Sequence, residues 1–279
     1  CLLIGNNGVG KTTLIKSILK QIDLLNGCIS INNKDISKLS FGEIAQEIAV
    51  VFSKVEIPSN YSLTDLISLG KYIHYPYYFD LNEKDKKEVD KTIQLLDLEQ
   101  YKNLKLHQLS DGNLQKTFIG RAIIQNSPII ILDEPTTHLD EENKLIILNL
   151  LKKLAKDYNK LILFSSHDWR LAKDFADKIW LIENQTLHTG LTEDILLKHN
   201  LLDTNTNIFS HKNLVLPHID APSKEKNLVI SFINKNLDKD LSPFSINFDN
   251  EIWTISTPEK QWKADSFGEI LSILKGKTI

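Results

Sequence analysis

The chain has 279 residues, 42% hydrophobic and 25% charged, which excludes a disordered or fibrous protein and leaves apolar material for one large core or two smaller ones. Its 33 Lys and Arg stand against 36 Asp and Glu, a net charge of -3, with no basic block to neutralise nucleic-acid phosphates, so no nucleic-acid partner is expected. Cys1 and Cys28 lie apart without CxxC spacing, no apolar run reaches the roughly 18 residues of a membrane span, and methionine is absent; the expectation is a protein of a reducing compartment, shortened at its N-terminus.

Leu2, Leu3 and Ile4 read as a buried strand, and Thr13 to Lys20 as a helix. Between them Gly5 to Thr12, GNNGVGKT, satisfies G-x-x-x-x-G-K-[ST], the pattern of a phosphate-binding loop. Gly5, Gly8 and Gly10 permit backbone conformations that side chains forbid. The N–H groups of Gly5, Asn6, Asn7, Gly8, Val9, Gly10, Lys11, Thr12 and Thr13 are thus expected to converge on phosphate oxygens at the positive end of the helix. Lys11 adds charge at the β and γ phosphates, and Thr12 offers a hydroxyl to the Mg²⁺ ion that bridges them. A glycine-rich turn that merely caps a helix is the other reading of this octapeptide taken alone.

A strand ends near Phe52, and LTDLISLG, within YSLTDLISLGKYIHY (Tyr61 to Tyr75), reads as an amphipathic helix with Thr64 or Asp65 near its start. Tyr72, Tyr75, Tyr77 and Tyr78 are expected to pack or to sit at a subunit contact. In LSDGNLQKTFIGRAI, Ser110 is an N-cap before a helix whose apolar positions include Leu114, Phe118 and Ile119. That makes two anion-binding helix starts for one nucleotide. The economical arrangement is two protomers, each offering Ser110 and Gly112 to the γ-phosphate lodged in the other's loop.

Ile129 to Leu132 form the continuous apolar run of a parallel strand covered on both faces, and it ends in Asp133 and Glu134. Side chains alternate along a strand, so the two acids take different tasks: Asp133 on the Mg²⁺ shell, Glu134 as the base or water-positioning group for phosphoryl transfer to water. Pro135 holds Glu134 out of the helical region. A DEP tripeptide that simply turns the chain at a strand end uses the same residues. Asp140 is suited to cap the next helix, with Ile146, Ile147, Leu150, Leu151 and Leu154 as its buried stripe.

Taken in order, GNNGVGKT, LSDGN, IIILDE, the His138 to Asp140 segment and the lone His167 ending LILFSSH resemble the Walker A, signature, Walker B, D-loop and switch histidine of ATP-binding cassette (ABC) ATPases. The match covers about Cys1 to Gly190. It implies an α/β, RecA-like P-loop NTPase core with a parallel sheet and an inserted helical subdomain, working in pairs on ATP and Mg²⁺. By the same resemblance His167 contacts the γ-phosphate and Asp140 reaches across the dimer interface. Ser53 occupies the place of the family's glutamine, which contacts Mg²⁺ and links ATP to the membrane partner; the shorter serine implies a bridging water. The signature carries Asp111 for a glycine and Asn113 for a glutamine, and Asp111 is expected to point outward. The adenine-stacking aromatic of the family lies upstream of Cys1.

Tyr61 to Tyr75 and DEPTTHLD are similar to ATPases that drive uptake of iron chelates, haem and cobalamin. The implied protein is the ATP-hydrolysing subunit of an importer at the cytoplasmic face of the membrane. A second copy of itself, two transmembrane permease subunits and a substrate-binding protein are its implied partners. The alternatives are a cytosolic ABC ATPase without a permease and a slowly hydrolysing switch, the latter motivated by Ser53 and Asp111.

The cassette is expected over residues 1–202, with its core in 1–54 and 107–190 and the helical subdomain at about 55–125. A polar linker at 203–226 then leads to a small α+β appendage at 227–279. There NLVISFIN, FSINF and EIWTIS read as strands, and SFGEILSILK as a closing helix with Phe267, Ile270, Leu271 and Leu274 inward. His74, His107, His138, His188 and His199 show no metal-ligand spacing and are expected at the surface or in packing.

Overall fold

The computed structural model describes residues 1–53, 60–75, 80–168, 171–199, 201, 216–237, 240–249 and 251–276. Tyr77, Tyr78 and most of the expected linker lie outside them. In chain order the elements are β1 (Leu2–Ile4), α1 (Lys11–Ile18), β2 (Ser30–Ile31), β3 (Lys34–Asp35), α2 (Phe41–Glu47) and β4 (Ile48–Val51). There follow α3 (Leu63–Ser68), α4 (Glu83–Leu95), α5 (Asp111–Ile124), β5 (Ile129–Leu132), α6 (Glu141–Asp157), β6 (Leu161–Ser166) and α7 (Ala172–Phe175). The rest are β7 (Lys178–Glu183), β8 (Thr186–Leu191), α8 (Thr192–Lys198), β9 (His218–Asp220), α9 (Ser223–Asn236), β10 (Ser245–Asp249), β11 (Ile252–Ser256), β12 (Gln261–Ala264) and α10 (Phe267–Leu274). The chain forms two compact units that part after His167.

In the first unit four strands lie in the order β4-β5-β6-β1. β4, β5 and β6 pair in parallel, and their register aligns Val51, Leu132 and Phe164 at the carboxyl ends. Cys1 bonds Ile162 O and Phe164 N–H, two residues apart, which is the parallel ladder pattern. The apolar runs IAVV and IIIL are buried almost throughout, as a sheet covered on both faces requires.

Between β4 and β5 the chain runs through α3, α4 and α5, around a core cluster of Leu63, Ile67, Val89, Ile93, Leu96, Leu98 and Ile124. Ser62 caps α3 in a reciprocal box with Asp65, Asn82 caps α4 and Ser110 caps α5. Gly70, in the 3-10 turn that extends α3, is needed for close approach, since a Cβ there would lie 2.2 Å from Arg121 O on α5. Arg121 in turn donates Nη2–H to Val50 O at 2.6 Å, tying α5 to β4; burial pulls its guanidinium pKa down. Helix α1 begins at Lys11, earlier than the expected Thr13, because Gly10 in the left-handed region serves as its N-cap. In α6, Ile147, Leu148, Leu151 and Leu154 are buried as a 3.6-residue stripe, whereas Ile146 is 39% exposed and does not belong to it.

The second unit joins the β7-β8 antiparallel hairpin and α8 to a four-stranded sheet ordered β12-β11-β10-β9 with α9 and α10. Phe232, Phe267, Trp253 and Phe248 form its aromatic core, with neighbouring ring centroids 5.0, 5.4 and 4.3 Å apart. NLVISFIN is not a strand but part of α9. Its buried residues Leu228, Val229, Phe232 and Ile233 recur at helical spacing, so the 3.6-residue period outweighs the β-branched composition. The stretch expected as linker already contains β9 and the start of α9, so regular structure resumes at His218. FSINF and EIWTIS are strands and SFGEILSILK contains α10, with Phe267, Ile270, Ile273 and Leu274 buried. A buried ion pair, Lys235 Nζ to Glu193 Oε1 at 2.5 Å, fastens α9 to α8, and Asp194 Oδ1 accepts Phe267 N–H at 2.8 Å at the start of α10.

Candidate functional site

The loop between β1 and α1 takes its shape from Gly8 and Gly10, whose φ values of 79° and 108° suit glycine; nothing lies within 4 Å of a Cβ added at either. Conformation, not space, demands glycine here. Gly10 caps α1 without a side-chain hydrogen bond, so the first N–H donors of the helix have no side-chain acceptor. Asn6, Asn7, Gly8, Thr12 and Thr13 are exposed, and Val9 N–H turns back to Asn6 O at 3.3 Å. Lys11 is buried, its Nζ donating to Gly5 O at 2.8 Å and Asn6 O at 3.2 Å and lying 3.6 Å from Glu134 Oε1.

Opposite this loop stands the end of β5. Thr12 Oγ1 donates to Asp133 Oδ2 at 2.7 Å, and Ser165 Oγ donates to Asp133 Oδ1 at the same distance. The same Ser165 oxygen accepts Glu134 N–H at 2.8 Å. Both carboxylate oxygens of the buried Asp133 are thus held by hydroxyls, which compensates the loss of water around it. Register explains the convergence: Leu132 pairs with Phe164, so Asp133 and Ser165 are the next residues on neighbouring parallel strands. Glu134 has φ 51°, outside the right-handed helical region as expected before proline, yet in the left-handed region rather than extended. Its Oε2 accepts from Thr137 Oγ1 at 3.2 Å.

A second cluster forms where α5 and α6 begin. Ser110 Oγ accepts Asn113 N–H at 3.3 Å, and Asp140 accepts Asn143 N–H at 2.7 Å and Asn143 Nδ2–H at 3.0 Å. These bonds from Asn143 hold the Asp140 carboxyl below the usual carboxylate range. Gly112 is buried against the same residue, and a Cβ there would come within 2.5 Å of Asn143 Oδ1. Ser53, just beyond β4, and Asp111 are exposed and share a cavity of about 150 Å³ with Leu114, Thr137 and His138. His167 is exposed just beyond the end of β6.

Residues 1–137 match the family model described as ABC transporter. The iron(3+)-hydroxamate import ATP-binding protein of Bacillus subtilis is 31% identical over 235 residues, 81% of this chain and 87% of that protein. The chain belongs to the ABC transporter ATP-binding proteins. An achromobactin transport ATP-binding protein of Dickeya dadantii is 29% identical, over 77% of this chain and 83% of its own length. Among solved structures, a metal-chelate type ABC transporter in an inward-facing conformation superposes with a TM-score of 0.64 at 29% identity, covering 72% of this chain and 74% of its own. A dimeric ATP-binding cassette bound to ADP and Pi gives 0.60 at 26% identity, over 68% and 84%.

Within this ABC protein the expected residues therefore gather in two places. Gly5, Asn6, Lys11, Thr12, Asp133 and Glu134 are joined by direct contacts, and Gly112 and Asp140 meet at Asn143, while Ser110 caps the helix that carries Gly112; among the described residues no hydrogen bond joins Ser53 or His167 to either set. Sequence reasoning missed Ser165, Thr137 and Asn143. For Ser165 a signal was present, since two serines close the otherwise apolar run LILF of a covered strand. Thr137 and Asn143 carry no comparable signal, because each acts through a turn or a helix start that many residue types can occupy.

Proposed function

We propose that this chain is the ATP-hydrolysing subunit of an importer for an iron chelate or a similar chelate such as haem or cobalamin. It would work as a homodimer on the cytoplasmic face of a membrane, coupled to two permease subunits and supplied by a substrate-binding protein. The similarity to hydroxamate and achromobactin transport subunits supports the cargo class. No helix among the described residues is long and apolar enough to cross a membrane, so in this reading the permease supplies the span.

The observation that carries the reading is the bonded set Thr12, Asp133, Ser165 and Glu134, with Lys11 at 3.6 Å from Glu134. The loop amides from Gly5 to Thr13 cradle the phosphates of ATP, and Lys11 exchanges its carbonyl partners for phosphate oxygens. The Thr12 hydroxyl and Asp133 carboxylate, 2.7 Å apart, are the hard oxygen donors that suit Mg²⁺ held jointly with substrate phosphates. When bound, the ion would offset charge on the β and γ oxygens. Glu134 accepts the proton of the attacking water, while its backbone is pinned by Ser165 and its carboxylate by Thr137. Ser110 and Gly112 of one copy close over the γ-phosphate held by the other, Asp140 reaches across that interface, and His167 steadies the γ-phosphate. Ser53 would reach the ion through a water and pass the state of the site to the permease.

The test compares ATP turnover of the full chain with that of Glu134→Gln. The variant should keep ATP binding and ATP-stabilised dimerisation and lose on the order of 100-fold or more in turnover. Equal, negligible rates in both would overturn hydrolysis and leave the slowly hydrolysing switch, the reading that Ser53 and Asp111 favour.

A further inference from the structure

Outside the nucleotide site, the second unit brings together three side chains that no spacing along the chain groups. Glu183 ends β7 and His188 lies on β8, across a two-residue turn of Asn184 and Gln185 with φ values of 48° and 62°. Positive φ at both central residues marks the tight hairpin whose twist matches its strands. In the register Leu181 opposes His188 and Glu183 opposes Thr186, so Glu183 and His188 are diagonal neighbours on one face. His199 closes α8, its N–H bonded to Ile195 O, where that helix packs back on the hairpin. Spacings of five and eleven residues, which carry no metal-ligand signal along the chain, are brought to one point by the hairpin and the returning helix.

There, one nitrogen of each imidazole and one carboxylate oxygen of Glu183 lie within 4.8 Å of one another. His199 Nδ1 is 3.0 Å from Glu183 Oε2, and the two rings stand 4.6 Å apart, tilted by 57°. A simple His199–Glu183 ion pair accounts for the first contact alone. It does not account for a second imidazole set beside the first. It also leaves His199 Nε2 buried with no hydrogen-bond partner among the described residues, a cost that a native structure normally avoids.

We propose that Glu183, His188 and His199 form a binding site for a divalent transition-metal ion of the zinc class. Two imidazoles and one carboxylate are a donor set that zinc accepts, with water or a further oxygen completing the shell. Tetrahedral bonds of about 2.0–2.1 Å place ligand atoms roughly 3.4 Å apart. Separations of up to 4.8 Å must shorten by as much as about 1.4 Å to reach that spacing, a side-chain adjustment in which Glu183, 47% exposed, is free to take part. The hard-oxygen preference of Mg²⁺ keeps it off this site, so the ion that accompanies ATP does not compete. Occupied, the site clips the hairpin turn to the end of α8 and makes the stability of this unit depend on metal supply.

The full chain carrying Cys28→Ser, which removes an exposed thiol, is stripped with chelator and titrated with Co²⁺ alone in the absence of nucleotide. One equivalent should bind with the visible absorption of a low-coordinate ion, Zn²⁺ should displace it, and Mg²⁺ in large excess should not. His188→Ala, His199→Ala and Glu183→Gln should each weaken binding at least tenfold while keeping the circular dichroism of the parent. Hydrogen exchange, which needs no variant, should show Zn²⁺ slowing the amides around Asn184 and Gln185 and in α8. Binding undiminished in the two histidine variants, or zinc protection confined to other segments, would overturn the proposal.

Discussion

Ser165→Ala tests whether the hydroxyl on β6 organises both acids of the Walker B segment. The substitution deletes a bond of 2.7 Å to Asp133 Oδ1 and one of 2.8 Å from Glu134 N–H, at a position that is fully buried. Water does not replace a buried hydroxyl without room, so a carboxylate oxygen and a backbone N–H both lose their partner. A stranded buried group costs about 1–3 kcal/mol, more when charged, which sets the expected loss of stability at roughly 3 kcal/mol. Function should suffer separately. Asp133 keeps only its Thr12 bond and Glu134 loses its backbone anchor, so ATP turnover should fall about 10- to 100-fold, the range found when a group that orients a metal ligand is removed. Denaturant unfolding reads the first effect, and ATPase rate against Mg²⁺ concentration reads the second, with half-saturation displaced to higher Mg²⁺. A variant with parental stability and an unchanged Mg²⁺ requirement would show that Ser165 merely fills space.

Gly112→Ala should depress turnover more than it depresses stability: the added Cβ meets Asn143 Oδ1 at 2.5 Å, and moving Asn143 frees the Asp140 carboxylate that it holds. Steady-state rates set beside unfolding curves check this. Phe232→Ala, deep in the second unit beside Phe267, should cost about 3–5 kcal/mol, read as a shift of the unfolding midpoint. Burial pushes the Asp194 carboxyl above its usual pKa, and Glu193 moves the same way by burial, opposed by Lys235. A raised folded pKa means a contribution fully present below the unfolded value of about 3.9 and lost as pH rises through the folded one. Asp194→Asn keeps the acceptor for Phe267 N–H and removes the charge, so its melting temperature should gain on the parent as pH rises above about 4 and match it more acidic still.

What the sequence displays is chemistry that is contiguous along the chain. GNNGVGKT dictates its own conformation, because Gly8 and Gly10 must take positive φ, and the six-residue loop from Gly5 to Gly10 is too short to fold in many ways. Caps are equally local: Ser110 and Asp140 each bond the third residue after them, a reach that depends on nothing outside one helical turn. Ser165 and the Glu183, His188 and His199 cluster are of another kind. Their contacts exist only because two strands pair in one register or a helix returns over a hairpin, and no spacing along the chain encodes that. Helix α9 shows the same division from the other side, since Val229 and Ile233 suit a strand locally and only burial of Leu228, Val229, Phe232 and Ile233 on one side selects the helix. Register is nonetheless calculable once strands are assigned. The apolar runs of β5 and β6 both end where a polar pair begins, Asp133 and Glu134 on one and Ser165 and Ser166 on the other. Aligning those ends in parallel sets Asp133 beside Ser165, so the hydroxyl that completes the site follows from where two neighbouring strands run out of hydrophobic residues.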